Sequence, residues 1–120
     1  MKILIVEDDI FFQKFYRTQL AAQGYEIDVA INGEEALEKI KAFHPNVILL
    51  DIIMPKMDGF EVLEALNEDG SIKSLNILVF STLGQEKDIK RAAELGAKGY
   101  INKGFFDFNT LLAKIQEVAK

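Results

Sequence analysis

Four places in the chain set reactive side chains directly after a short apolar run. Glu7-Asp8-Asp9 follows Lys2 to Val6, Asp51 follows Val47 to Leu50, Ser81-Thr82 follows Ile77 to Phe80, and Lys103 follows Gly99 to Asn102. Open α/β sheets bind ligands outside the carboxyl ends of their strands, so parallel runs of this kind bring acids, a hydroxyl and a lysine to one edge. Carboxylates about 4 Å apart repel by roughly 4 kcal/mol per pair at an effective dielectric near 20, a cost that a cation must offset. Lys103 supplies one positive charge, and the remaining groups are oxygen donors with no His or Cys nearby, which suits hard Mg²⁺ rather than Zn²⁺. Mg²⁺ leaves positions for phosphate oxygens, so the implied chemistry is phosphoryl transfer, with a carboxylate as nucleophile and an aspartyl phosphate as product. Asp51, presented at a strand end before Met54-Pro55, is the candidate nucleophile, and the neighbouring acids are the candidate metal ligands. By the same charge argument, Asp8→Asn is expected to stabilise the metal-free protein and weaken Mg²⁺ binding.

The elements that must position these groups are legible in the pattern. Short β-rich runs alternate with longer segments of helical period about five times, which points to βαβ units around a parallel sheet. The runs at Lys2 to Val6, Val47 to Leu50 and Ile77 to Phe80 are continuously apolar, as expected of central strands covered on both faces. Glu26 to Ile31 alternates apolar with polar or small residues and reads as an edge strand; Gly99 to Asn102 is the short fifth strand. Helical stripes run through Phe12, Phe15, Tyr16, Gln19 and Leu20; Ala36, Leu37, Ile40 and Phe43; Phe60, Leu63 and Leu66; Ile89, Ala92, Ala93 and Leu95; and Phe108, Leu111, Leu112, Ile115 and Val118. Asn32-Gly33 and Asp58-Gly59 read as turn or helix-entry signals, Asp9 as a cap, and the stretch to His44-Pro45 as the end of a helix before a strand.

The bulk properties narrow the class. With 120 residues, 49% hydrophobic and 28% charged, residues 1–120 are expected to form one globular domain. A net charge of −5 with scattered basic residues argues against direct nucleic-acid binding. No apolar stretch approaches the length of a signal-peptide core or a membrane span, and Cys is absent, so a soluble, cytoplasmic protein without membrane contact is expected.

Taken together, these motifs resemble the receiver domains of two-component response regulators over Lys2 to about Val118. Ile3-Leu4-Ile5-Val6-Glu7-Asp8-Asp9 matches the family's acidic start, and Ile48 through Gly59 its phosphoacceptor signature. The resemblance implies a flavodoxin-like (βα)5 fold, doubly wound, with five parallel strands in the order 2-1-3-4-5 and helices on both faces. It implies phosphorylation of Asp51, Mg²⁺ held by Glu7, Asp8, Asp51 and the Ile53 carbonyl, and phosphoryl contacts from Ser81 and Lys103. Ser81 and Tyr100 take the switch positions. The implied partners are a histidine kinase or histidine phosphotransfer protein as donor, and a downstream protein on the face of the fourth helix, fifth strand and fifth helix. The implied oligomeric state is a monomer or a phosphorylation-dependent dimer. Such a domain catalyses only its own phosphorylation and dephosphorylation. One position departs from the family: Gly104 follows Lys103 where proline is usual, which predicts a trans or strained peptide there and a less fixed lysine.

Singly, most of these residues have plainer readings. Lys103 alone reads as a surface lysine, Tyr100 as a half-buried packing residue, Ser81 or Thr82 as a loop hydroxyl, and His44 as a surface residue without metal partners. Phe11, Phe12, Phe15 and Tyr16, like Phe105, Phe106 and Phe108, read as packing at the core and helix edges, some of them as partner surface. Two other functions fit part of the pattern: a pseudo-receiver that binds partners without being phosphorylated, and a phosphohydrolase of the haloacid-dehalogenase type. The latter carries its nucleophile after the first strand as part of a spaced aspartate pair, which this chain lacks there.

Overall fold

A computed structural model describes residues 1–104 and 107–119. The continuous apolar runs are its inner strands: β1 (Lys2–Val6), β3 (Val47–Leu50) and β4 (Ile77–Ser81), buried throughout except at Lys2. They are flanked by β2 (Glu26–Ala30) and β5 (Gly99–Asn102) in one parallel sheet of order β2-β1-β3-β4-β5. Successive side chains of a strand point to opposite faces, and the core divides accordingly. Ile3, Ile5, Val47, Leu49, Leu78 and Phe80 face α1 (Ile10–Ala21) and α5 (Phe108–Val118). Leu4, Val6, Ile48, Leu50 and Val79 face α2 (Gly33–Phe43), α3 (Gly59–Glu68) and α4 (Glu86–Leu95). This is the flavodoxin-like, doubly wound α/β fold.

Helix starts follow local chemistry. Asp9, Asn32, Asp58 and Asp107 each cap a helix by accepting a backbone N–H of its first turn, and Asp58 with Glu61 completes a capping box. α2 ends on His44 in the left-handed region, φ 53°, ahead of buried Pro45 and strand β3. Two helices are less buried than their stripes suggest. On α1, Phe11 and Phe15 are exposed while Tyr16 and Leu20 are buried; on α4 only Ala92 is fully buried, and Ile89 and Ala93 face outward. A 3-10 helix, Ser71–Ser74, lies between α3 and β4 and has no counterpart in the sequence reading. Phe105 and Phe106 lie outside the described residues.

β2 is an edge strand, as its alternation suggests. At Val29 its backbone is occupied by side chains: the N–H donates to the Asp28 carboxylate and the carbonyl accepts from the Lys39 ammonium. Among the described residues there is no cis peptide bond, so the Lys103–Gly104 peptide is trans. None of the described helices is long and apolar enough to cross a membrane.

Candidate phosphoacceptor site

Parallel register brings the strand ends level. Val6 pairs with Leu50 across β1 and β3, and Ser81 pairs with Asn102 across β4 and β5. The residues after these pairs therefore meet at one edge. The Asp51 N–H donates to the Val6 carbonyl at 3.1 Å and the Lys103 N–H to the Ser81 carbonyl at 2.8 Å, tying the loops to neighbouring strands.

Asp51, Glu7 and Lys103 are all buried beside the buried Ser81 hydroxyl, an unusual state for ionisable groups without partners. Lys103 is the partner of both acids. Its ammonium donates to Asp51 Oδ2 at 2.8 Å and to Glu7 Oε1. Asp51 Oδ1 also accepts from the backbone N–H groups of Ile52 at 2.7 Å and Ile53 at 3.3 Å. Asp8 stands at the exposed rim. Burial would lower the lysine's affinity for its proton, but hydrogen bonds to Asp51 and Glu7 outweigh it and raise the pKa above 10.5. For Glu7 burial wins: desolvation, with a contribution from the Asp51 charge, pushes the carboxyl up to about 7 against the pull of Lys103.

The sign of that shift fixes a prediction. Below the unfolded value of 4.5 both states hold the Glu7 proton; from there to about 7 only the folded state holds it, so stability falls as pH rises through this window. Urea melts in EDTA should show the protein less stable at pH 8 than at pH 5 by about 2 kcal/mol, and Glu7→Gln should flatten the profile. Equal slopes for the two proteins would contradict the assignment. The expectation for Asp8→Asn changes in scale: Asp8 is exposed, so the stability gained by removing a carboxylate belongs mainly to Glu7.

The metal expectation can be tested on the donor geometry. Glu7, Asp8 and Asp51 each offer a carboxylate oxygen within 4.8 Å of one another. Two ligands across an octahedral Mg²⁺ lie about 4 Å apart, so small side-chain rotations suffice, and the all-oxygen set fits a hard cation. These residues form a possible metal-binding group.

Ser81 Oγ accepts from the Leu83 N–H at 3.3 Å, and the Tyr100 hydroxyl donates to the Leu83 carbonyl at 2.7 Å. Leu83 thus links the two residues expected to switch. Burial, reinforced by the negative charges of Asp88 and Asp51, pushes the Tyr100 phenol up to about 12, so it stays a hydrogen-bond donor. Thr82 is exposed, and Ile53 is exposed beside Asp51. The site contains residues the motifs did not reveal. Tyr16 of α1 lies close enough for Glu7 and Asp51, after burial, to push its phenol up to about 12, and with Phe80 it lines the cavity around Asp51 and Lys103. An aromatic at the seventh residue of a helix entering from the acidic loop was the available signal.

A flavodoxin-like sheet whose carboxyl edge joins a buried aspartate, a second acid, a hydroxyl and a bridging lysine marks out a class of regulatory α/β domain. The chain belongs to that class by descent as well as shape: its residues 3–116 match the family described as "Response regulator receiver domain", and it is a member of the two-component response regulators' receiver family. It is 39% identical over 122 residues to the chemotaxis protein CheY of Treponema pallidum, covering 99% of this chain and 83% of that one. It is also 39% identical over 104 residues to the probable transcriptional regulator ycf27 of Cyanophora paradoxa, covering 87% of this chain but only 42% of that regulator's length. Among solved structures, CheY in the CheX-CheY-BeF3-Mg+2 complex of Borrelia burgdorferi superposes with a TM-score of 0.89 at 34% identity, over 98% of this chain and 88% of that one.

Proposed function

We propose that residues 1–120 act as one receiver domain, a phosphoacceptor switch of a two-component or phosphorelay system, and that Asp51 is the phosphorylated residue. The observation that carries this reading is the buried Asp51–Lys103–Glu7 ion cluster at the carboxyl edge of the sheet, with Asp8 at its rim. A carboxylate oxygen of Asp51 attacks phosphorus, the bond from phosphorus to the donor's imidazole nitrogen breaks, and the imidazole leaves with the electron pair. Lys103 offers its charge to the transferring oxygens and holds Asp51 in line for attack. Glu7, Asp8 and Asp51, with the Ile53 carbonyl, are the residues that would hold Mg²⁺, which supplies charge neutralisation at those oxygens when bound. The Borrelia relative, described with BeF3 and Mg+2, supports this metal choice.

Ser81 carries the signal outward. Its hydroxyl proton is free to turn to a phosphoryl oxygen, and as Oγ shifts it gives up the Leu83 N–H. Leu83 then loses one of its two holds and the Tyr100 hydroxyl loses a fixed acceptor, so the β4–α4 loop and the aromatic move together. The face made by α4, β5 and α5 changes, and a downstream protein reads it. The donor is a histidine kinase or a histidine phosphotransfer protein, in the cytoplasm, and the domain's only catalysis is on its own phosphoryl group.

Intact mass after incubation with phosphoramidate, with and without Mg²⁺, tests the reading in wild type and Asp51→Asn. One phosphoryl group gained by wild type alone, only with Mg²⁺, is expected. No gain in a folded protein would overturn the reading in favour of a partner-binding module that is not phosphorylated.

A further inference from the structure

Lys103 has contacts beyond its two carboxylates. Its Nζ lies 5.0 Å from the ring centroid of Phe12 and 5.9 Å from that of Phe80. The two rings belong to different elements, Phe12 to the first turn of α1 and Phe80 to β4 immediately before Ser81. They are joined through Tyr16, which stacks on Phe12 at 5.9 Å with 11° between the rings and packs on Phe80 at 4.9 Å. The result is an aromatic floor beneath the ammonium. Its position follows from the helix start: the Asp9 cap takes the Phe12 N–H at 3.2 Å, which fixes the turn that presents the ring.

The Lys103 N–H bond to the Ser81 carbonyl anchors the root of this side chain but does not aim its head. Gly104, next in the chain, is exposed and without a side chain, and the peptide between them is trans. A lysine stem has four rotatable bonds, so its head goes where charge draws it. The carboxylates that draw it are the ones whose charge changes when Mg²⁺ binds or Asp51 is esterified. A ring face attracts a cation through its quadrupole, keeps that attraction whatever the carboxylates carry, and does so most strongly where water is excluded.

We propose that Phe12, backed by Tyr16 and Phe80, is a positioning residue that holds the Lys103 ammonium in place for phosphoryl transfer. The kinetic part of the test rests on the phosphoacceptor reading above; the spectroscopic part does not. Phosphorylation by phosphoramidate with Mg²⁺ is measured for wild type, Phe12→Leu and Phe12→Tyr, and for Phe12→Leu combined with Lys103→Met against Lys103→Met alone. Proton NMR of the Lys103 ε-methylene follows the same proteins without metal, and urea melts establish that each is folded; Phe12→Met replaces the leucine variant if that one unfolds.

Phe12→Leu should slow phosphorylation roughly tenfold, about 1.4 kcal/mol of barrier, while Phe12→Tyr, which keeps the ring, stays close to wild type. In the Lys103→Met background the leucine change should add less than about twofold, because its effect runs through the ammonium. The ε-methylene resonances, shifted upfield by the ring in wild type, should move downfield in Phe12→Leu and remain in Phe12→Tyr. Leucine matching wild type in rate and shift, or slowing both backgrounds alike, would overturn the proposal. A wild type that takes no phosphoryl group would defeat the phosphoacceptor reading instead, and the ε-methylene shift alone would then decide whether the floor holds the lysine.

Discussion

Replacing Lys103 by methionine should cost the metal-free protein about 3 kcal/mol or more at pH 8, and distinctly less at pH 5.5. The substitution leaves Glu7 and Asp51, only 4% and 6% exposed, facing one another without a counter-charge. Removing one member of a buried ion cluster is far more damaging than the cluster is stabilising, since the orphaned charges keep their desolvation penalty. The pH dependence comes from Glu7, which can take a proton as pH falls and so relieve the repulsion. It cannot come from Lys103 itself: a lysine pKa raised above 10.5 contributes a constant amount throughout this range and is lost only in stronger alkali. Urea melts in EDTA at both pH values would measure this, and an equal loss at each would refute it. Mg²⁺ should return part of the stability at pH 8 by binding the folded state alone, while phosphorylation stays down about a hundredfold for want of the ammonium.

Gly59→Ala should be nearly as damaging, through backbone contact rather than charge. A Cβ on Gly59 would stand 2.4 Å from the Asp51 carbonyl oxygen, 2.7 Å from Ile52 Cα and 2.8 Å from Ile52 Cδ1. The first two are backbone atoms of the loop that carries Asp51, held on the other side by the Gly59 N–H donating to the Ile52 carbonyl at 2.9 Å. Alanine is the better helix former by up to about 1 kcal/mol, but overpacking costs about 1 to 3 kcal/mol, and more where the atoms met are backbone, so it wins. The phosphorylation rate should fall as well, since the loop yields by moving Asp51. Gly24→Ala is the control: φ there is 86° but no atom lies within 4 Å of the added Cβ. It should cost only the conformational strain, about 1 to 2 kcal/mol, with the rate unchanged. Gly59→Ala tolerated as well as Gly24→Ala would show that the approach of α3 to β3 is not tight.

These two sites show what a sequence discloses and what it withholds. The strands announce themselves because Ile3 to Val6, Val47 to Leu50 and Ile77 to Phe80 are buried on both faces and carry no polar residue, and the caps because Asp9, Asn32 and Asp58 satisfy donors only three residues away. The site residues are legible for the same reason: Glu7, Asp51 and Lys103 lie directly past a strand end and Ser81 is the last residue of β4. Contacts between elements are a different matter. Asp58-Gly59 reads as a helix entry, which it is, yet its closeness to Asp51 depends on how α3 docks. The stripes of α1 and α4 look alike in sequence, but Phe15, Ile89 and Ala93 emerge on the outside because each helix meets the sheet along a narrower line than its apolar residues define. The departure at Gly104 suggested a lysine less fixed than usual; two carboxylates and the rings of Phe12 and Phe80 surround it nonetheless.

The occupied backbone at Val29 bears on how the protein behaves when crowded. An edge strand is a template on which another chain can grow a sheet, and its open N–H and C=O groups are the rungs. Here Val29, the fourth residue of β2, has both groups taken by Asp28 and Lys39, and a charge of each sign stands where an incoming strand would have to lie. Growth of an aggregate from this side would first have to break the Asp28–Lys39 pair. Lys39→Ala, remote from the Asp51–Lys103 edge, would therefore be felt in shelf life before it was felt at that edge.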